Sequence, residues 1–362
     1  MKVPALTASL ALLGLSWACP VLAVEGEQAF LPALQAETER LTIHGVTDFN
    51  AIRPILLDFQ ETAPNVAVIF VDYVSNDLFR ESELACREGR PHGDILLSSS
   101  VDQLVKLAND GCASPHHSVE AQKVPDWANW REEVYGFAFE PAVFVYDGAR
   151  VPPEDVPRTH DALADLLRRK PDLYRGRIGT YDIQASGVGY LLAFNDARQA
   201  PTVYGRLIES LSRSDTVIRC CNSEVLGEIA SGNVRIAYNI LGSYAYAASR
   251  LNPNLKIVIP RDYTLILSRG ALIPAQSANR ELAERFLDYL LSDRGQAVAR
   301  EKSFFFSENG PLPPGVDGPA ALMDSGIGRP IRIGPALLAA QDEIQRQRFI
   351  DDWMSLIAHP QP

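Results

Sequence analysis

Four short polar clusters carry the groups that could hold a small ligand. Ser186-Gly187-Val188-Gly189 opens an apolar run through Leu191, Leu192 and Phe194, just after a strand-like segment ending at Thr180 and a polar turn at Asp182. A serine at a helix start can cap it, and two glycines let backbone N–H groups face a ligand without side chains in the way. The first N–H groups of a helix lack internal partners, and the macrodipole makes that end positive. A small anion fits there, and so does ordinary capping. Gly242-Ser243-Tyr244 repeats the arrangement after an apolar segment that contains Asn239. Ser98-Ser99-Ser100 and Thr47-Asp48 add hydroxyls at two further turns. Hydroxyls and N–H groups suit phosphate, phosphonate or carboxylate oxygens. The expected ligand set is therefore Thr47, Asp48, Ser98, Ser99, Ser100, Thr180, Asp182, Ser186, Gly187, Val188, Gly189, Asn239, Gly242, Ser243 and Tyr244.

Catalytic patterns are missing from the sequence. There is no zincin helix, no GxSxG elbow and no lysine after a glycine-rich phosphate loop. Gly187-x-Gly189 lacks the third glycine of a dinucleotide fingerprint. The six histidines are scattered, and the adjacent pair His116-His117 is poorly placed to chelate one metal. Asp351-Asp352 reads as a solvated helix face. No catalytic residue, metal or cofactor is expected.

The elements around these clusters alternate. Leu41–Val46, Val66–Val71 and Asp94–Leu97 read as strands, followed by helices over Phe49–Glu61, Asn76–Glu88 and Val101–Asn109. Near-continuous apolar strands between amphipathic helices point to α/β architecture with parallel, doubly wound sheets. Ligands bind at the carboxyl ends of such strands, where Thr47-Asp48 and Ser98-Ser99-Ser100 fall. Val134–Tyr146 is long for one strand, and Pro141 is expected to break it, as suits a crossing between domains. Asp262–Pro274 reads as a second crossing. The expected organisation is two doubly wound lobes joined by two hinge crossings. Residues 40–138 with 262–310 form the first lobe, 139–261 the second, and 311–362 a helical tail. Val24–Glu39 reads as a short helix or a loose lead-in.

Residues 1–23 read as a secretory signal, with Lys2, an apolar core over Leu10–Leu15 and a small-residue site at Val21-Leu22-Ala23. Cleavage after Ala23 leaves about 340 residues, roughly two domains' worth. The formal charge of −11 becomes −12 when Lys2 is removed. That balance argues against nucleic acid or anionic membranes as partners. Export permits disulfides. Cys86 and Cys112 each end a helix, and a bridge between them is expected. Cys220 and Cys221 are adjacent, and whether they bond to each other, bridge elsewhere or stay reduced is open at this stage.

From Leu41 to Glu301 the chain resembles periplasmic solute-binding proteins. The resemblance is carried by the three leading strand–helix units, by VYGFAFEPAVFVYD (Val134–Asp147), RIGTYDIQASGVGYL (Arg177–Leu191) and IAYNILGSYAYA (Ile236–Ala247), and by ALIPAQSANRELAERFLDYLLSDRGQ (Ala271–Gln296). It is closest to the type II branch that holds ferric-ion binders and binders of sugar phosphates or phosphoglycerate-type anions. It implies a monomeric two-lobed clamp in the periplasm that closes on one solute and serves an inner-membrane ABC permease or a sensor histidine kinase. Ferric members use paired tyrosines and an acidic residue near the third strand. Here Ala245 separates Tyr244 from Tyr246, and the third strand ends in serines. Fe(III) needs anionic oxygens, of which the cleft is expected to be short. A small organic anion is the expected ligand, with ferric ion and an exported hydrolase as alternatives.

Overall fold

The computed structural model describes residues 27–357. The expected signal segment and its cleavage point after Ala23 lie outside the described residues.

Two sheets organise the chain. The first is built on three parallel strands, Val66–Asp72, Glu39–Gly45 and Ile95–Ser98, in that spatial order. Helices cover both of its faces, so its strands are apolar at nearly every position. Leu41, Ile43, Val68 and Phe70 pack on Phe49–Thr62 and Arg280–Leu291, while Leu96 packs against Ser75–Glu88 and Val101–Asn109. The helix Phe49–Thr62 buries Ile52, Ile55, Leu56 and Phe59, the spacing of one apolar stripe. Ser75–Glu88 ends at Gly89 with φ 65°, and the Gly89 and Arg90 N–H groups close on the carbonyls of Cys86 and Ala85.

This sheet is mixed rather than purely parallel. Gly270–Leu272, Val134–Gly136 and Asn129–Trp130 extend it antiparallel on one side. On the other, Glu27–Leu31 pairs antiparallel with Val66–Asp72. A helix or loose lead-in was expected there. A long apolar strand such as Val66–Asp72 leaves a row of free backbone groups at its edge, and a strand that covers the edge outweighs weak local preference.

In the second sheet Ile178–Tyr181 lies parallel between Ile236–Leu241 and Val217–Arg219. Glu140–Asp147 runs antiparallel to Ile236–Leu241 and to Leu255–Val258. His160–Arg169, Gly187–Gln199 and Pro201–Ser212 cover one face, and Asn222–Ala230 with Gly242–Leu251 covers the other.

Two adjacent antiparallel crossings join the sheets. Gly136 pairs with Gly270 in the first sheet, and Glu140 with Leu267 in the second. The break between the sheets lies at 137–139, not at Pro141, which is the second residue of a continuous strand. Proline is tolerated near a strand's start, where its missing N–H costs least. The crossings approach so closely that a Cβ at Gly136 would stand 2.3 Å from Ser268 Oγ.

The tail touches both lobes. Gly328–Pro330 extends the second sheet beside Thr264–Leu267. Ile331, Ile333 and Leu337 share a core with Leu104 and Val105 of the first lobe. Gln341 Nε2 donates to Asp102 Oδ2, and Tyr190 Oη of the second lobe donates to the Ala340 carbonyl at 2.7 Å. The helical part of the expected tail is two pieces, a 3-10 turn at Pro335–Ala339 and a helix over Glu343–Ile357. Among the described residues no helix is long and apolar enough to cross a membrane.

Cys86 and Cys112 form the expected disulfide, closing a loop with a sequence separation of 26. Cys220 and Cys221 are bonded to each other. Replacing Cys86 and Cys112 together by alanine is expected to lower the unfolding free energy by about 2–4 kcal/mol, because the unfolded chain regains loop entropy. Urea denaturation followed by tryptophan fluorescence measures it.

Candidate ligand-binding cleft

The cleft opens between the lobes, in front of the crossings. Asp48, Asp72, Tyr73, Ser75 and Ser99 border it from the first lobe. Ser186, Val188, Asn222, Tyr244 and the Cys220–Cys221 disulfide border it from the second. Arg269, in the turn that follows the strand Thr264–Leu267, forms its back. The cleft continues outward past Glu27, Phe49, Ser243 and Lys302.

Arg269 is 1% exposed and Glu140 0%. Arg269 Nε donates to Glu140 Oε1 at 2.9 Å, and Nη1 donates to Thr47 Oγ1 at 2.8 Å. The second-lobe helix Gly242–Leu251 meets the same carboxylate, since the Ser243 N–H and hydroxyl donate to Glu140 at 3.1 and 2.7 Å. The guanidinium lies over Tyr244 and Phe304, 5.2 and 4.8 Å from the ring centroids, a favourable stack for a cation. Burial works against its charge, but Glu140 and Tyr244 more than offset that and raise its pKa. Nη2 is buried and has no protein partner. A buried unpaired donor is costly, and this one is shut off from solvent in the present arrangement of the lobes.

The lobes meet across one side of the cleft. Gly187 N–H donates to Ser75 Oγ at 2.9 Å. Asn76 Nδ2 donates to the Gln184 and Ala185 carbonyls, both at 3.0 Å, while its Oδ1 accepts from Gln103 at 2.8 Å. Deeper in, the Asp48 N–H donates to Tyr244 Oη at 3.2 Å.

The residues singled out from sequence fall into three groups. Asp48, Ser99, Ser186, Val188 and Tyr244 converge on the inner cleft, and Ser243 borders its outer part. Thr47 stands behind Arg269 as its support. Most of the others are held by protein partners, the buried ones because a buried polar group must find one, and the half-exposed Asp182 by its own turn. Thr180 Oγ1 donates to the Tyr238 carbonyl, and Asn239 donates to Asp196. Asp182 accepts from the Gln184 and Ala185 N–H groups, and Ser98 Oγ accepts from Ser100 N–H. Ser100 Oγ is buried without a partner. Gly242 is wedged against Phe306 and Pro141. Ser186 caps its helix by accepting from Gly189 N–H at 3.1 Å. The helix start is thus not bare, since Ser75 takes Gly187 and Ser186 takes Gly189. Ser243 holds Glu140, so a bulky residue there would disturb the hinge as well as the cleft.

Sequence reasoning passed over Arg269, Glu140, Asp72, Ser75 and Asn222. A signal for two of them existed. Glu140 stands alone among apolar neighbours in one crossing and Arg269 in the other, with opposite sign, and charges are almost never fully buried unless paired.

The cleft is also not short of carboxylates. Asp72 is pushed up to about 7 by burial and by the Asp48 charge, against which the Phe49 N–H works. Burial raises Asp48 too, opposed by Arg269 and Tyr244. Asp48 and Asp72 lie close enough for the charge of the first to act on the second, but with Glu27 they do not form a set of three ligand oxygens within 4.8 Å. Among the described residues the one group of three His, Cys, Asp or Glu ligand atoms within 4.8 Å is Cys220, Cys221 and Glu224, whose sulfurs are bonded to each other.

The chain as a whole is similar to known proteins. Residues 45–305 match the family described as bacterial extracellular solute-binding protein. The substrate binding protein of an ABC transporter from Agrobacterium tumefaciens is 32% identical, with a TM-score of 0.84, covering 92% of this chain and 99% of that one. AfuA from Actinobacillus pleuropneumoniae, solved with fructose-6-phosphate bound, shares the fold at 16% identity and a TM-score of 0.67, covering 89% of this chain and 100% of its own. Iron uptake protein A1 from Synechocystis sp. is 22% identical over 229 residues, which span 58% of this chain and 60% of that protein. The two-lobed type II architecture expected from sequence is the one found.

Two outcomes follow. Asp72 has a folded-state pKa above its ordinary 3.8, so ionising it costs stability that is fully lost above pH 7 and regained as pH falls toward 4. Asp72→Asn is expected to stabilise the protein above pH 7, with the advantage shrinking below pH 7 and vanishing below pH 4, in urea titrations across that range. His44 and His92 are held near 3 and 4 by burial and act oppositely in both proteins, so the difference between them isolates Asp72. Separately, a Cβ at Gly187 would lie 2.7 Å from Ser100 Oγ, 2.8 Å from Gln103 Nε2 and 2.9 Å from Ser75 Oγ, all on the first lobe. Gly187→Ala is expected to hold the lobes apart, which small-angle scattering reads as a larger radius of gyration.

Proposed function

We propose that this chain, which belongs to the bacterial extracellular solute-binding proteins, captures a small organic solute by an oxyanion head and releases it chemically unchanged. The family delivers small solutes to ABC permeases. Import through such a permease is the use proposed here, with a sensor kinase as the other candidate partner. Export to the periplasm with cleavage after Ala23 belongs to the same reading.

One observation carries it. The buried Arg269 guanidinium keeps one donor unpaired at the back of a cleft bordered by Ser75, Ser99, Ser186 and Asn222. A phosphate, phosphonate or carboxylate oxygen matches a guanidinium fork better than a neutral group does. Lobe closure then surrounds the head with hydroxyls from both sides.

Ferric capture is the second reading, favoured by Asp48, Asp72, Tyr73 and Tyr244 along the cleft and by the name of the Synechocystis relative. Among the described residues no three carboxylates of the cleft bring their oxygens within 4.8 Å of one another, which weighs against it, because Fe(III) requires several anionic oxygens at one point.

Native mass spectrometry of protein taken from the periplasm is expected to show a co-purifying solute that carries an acidic oxygen group. Arg269→Lys preserves a positive charge near Glu140 but leaves one nitrogen where the guanidinium has three, and removes its planar fork. It is expected to weaken that solute's binding by about tenfold or more, the loss of charge-assisted hydrogen bonding, and to lower the melting temperature of the empty protein, because contacts to Glu140, Thr47 and the two rings are lost with the guanidinium. Undiminished affinity in Arg269→Lys would overturn the oxyanion reading. A visible tyrosinate-to-iron absorption on adding ferric citrate would establish the second.

A further inference from the structure

We propose that the solute carries two charges, an oxyanion head at Arg269 and a protonated amine against Asp48 and Asp72. The inference rests on the reading above and narrows it.

The charge of Arg269 is already matched. Glu140 lies 2.9 Å from its Nε, and both residues are fully buried. Arg269 therefore offers a directed donor but no surplus charge. What borders the cleft beyond this pair is acidic, with Asp48 and Asp72 in the inner part and Glu27 at its edge. Arg269 and Lys302 are the cations bordering it among the described residues, and Lys302 stands in the outer part. A plain dianion seated at Arg269 would face these carboxylates with like charge, which closure strengthens as water leaves. A solute with a cation on the same skeleton removes that penalty and turns the wall into a second anchor.

Distance along the chain limits the skeleton. Thr47 holds Arg269 at 2.8 Å, and the next residue, Asp48, borders the cleft with its N–H on Tyr244 Oη. The two poles are adjacent, so the carbon chain between head and amine must be short. A metal ion would not serve as well as an amine. Asp48, Asp72 and Glu27 do not bring their oxygens within 4.8 Å of one another as a set, whereas an ammonium needs one or two carboxylates and tolerates loose geometry.

The carboxylates behave as a pair awaiting a cation. Asp72 is raised to about 7 by burial and by Asp48, with a smaller push from Glu27. Asp48 is raised by burial despite Arg269 and Tyr244. An ammonium would draw both back down and expel a proton.

Titration calorimetry on the mature protein with matched pairs tests this. The pairs are 2-aminoethylphosphonate against ethylphosphonate, phosphoethanolamine against ethyl phosphate, and β-alanine against propionate, each in two buffers of different ionisation enthalpy at pH 7. In at least one pair the amine-bearing member is expected to bind about tenfold tighter or better, as one half-buried charge pair allows. Proton release should accompany it, and Asp72→Asn and Asp48→Asn should each narrow the ratio between the two members. Equal or tighter binding of the amine-free member in every pair overturns the two-charge solute and leaves the oxyanion reading standing. Binding of no compound in any pair overturns both.

Discussion

A single buried ion pair governs this molecule. Arg269 and Glu140 sit on the two chain crossings between the lobes, out of contact with water. Breaking such a pair by removing one partner costs about 3–5 kcal/mol, because the remaining charge is stranded in low dielectric. The surroundings are accordingly built to hold both. Thr47 comes from the first lobe, and Ser243 brings a hydroxyl and an N–H from the second. Tyr244 and Phe304 face the guanidinium with their rings. Hinge, lobe entry and cleft thus share one set of hydrogen bonds, and geometry at the back of the cleft is tied to the geometry of the crossings.

The same economy explains where the cleft places its polar groups. Hydroxyls that looked available in the sequence are mostly committed, because a buried donor or acceptor left unpaired is costly. Ser75 closes the helix start at Gly187, Ser243 holds Glu140, and Asn239 holds Asp196. Arg269 Nη2 is left without a partner but buried, and Asp48 and Asp72, both with raised pKa values, border the same cleft.

The tail adds a constraint that hinge strands alone would not supply. It shares a core with Leu104 and Val105 of the first lobe and lays Ile350, Trp353 and Ile357 on Leu207 and Leu211 of the second. Asp102 and Tyr190, one from each lobe, bond to its Gln341 and Ala340. Movement of the lobes must carry this segment along or slide it over one of them.

The sequence by itself determined the alternation of strands and helices, the existence of two crossings and the cap at Ser186. Each of these follows from local pattern, since apolar periodicity and a serine before a helix act over a few residues. The Cys86–Cys112 bridge was an expectation that folding decided, because it joins two helix ends 26 residues apart. The sequence did not determine the edge strand Glu27–Leu31, whose partner Val66–Asp72 lies far along the chain. Nor did it show which polar residues face the cleft. Asn239 resembles Ser99 in type and position, and tertiary packing turned it onto Asp196 while leaving Ser99 bordering the cleft; Asp182 is taken by the N–H groups of its own turn. The pairing of Glu140 with Arg269 joins positions 129 residues apart. Each stood out as a lone charge in an apolar run, but the bond between them exists because folding lays the two crossings side by side.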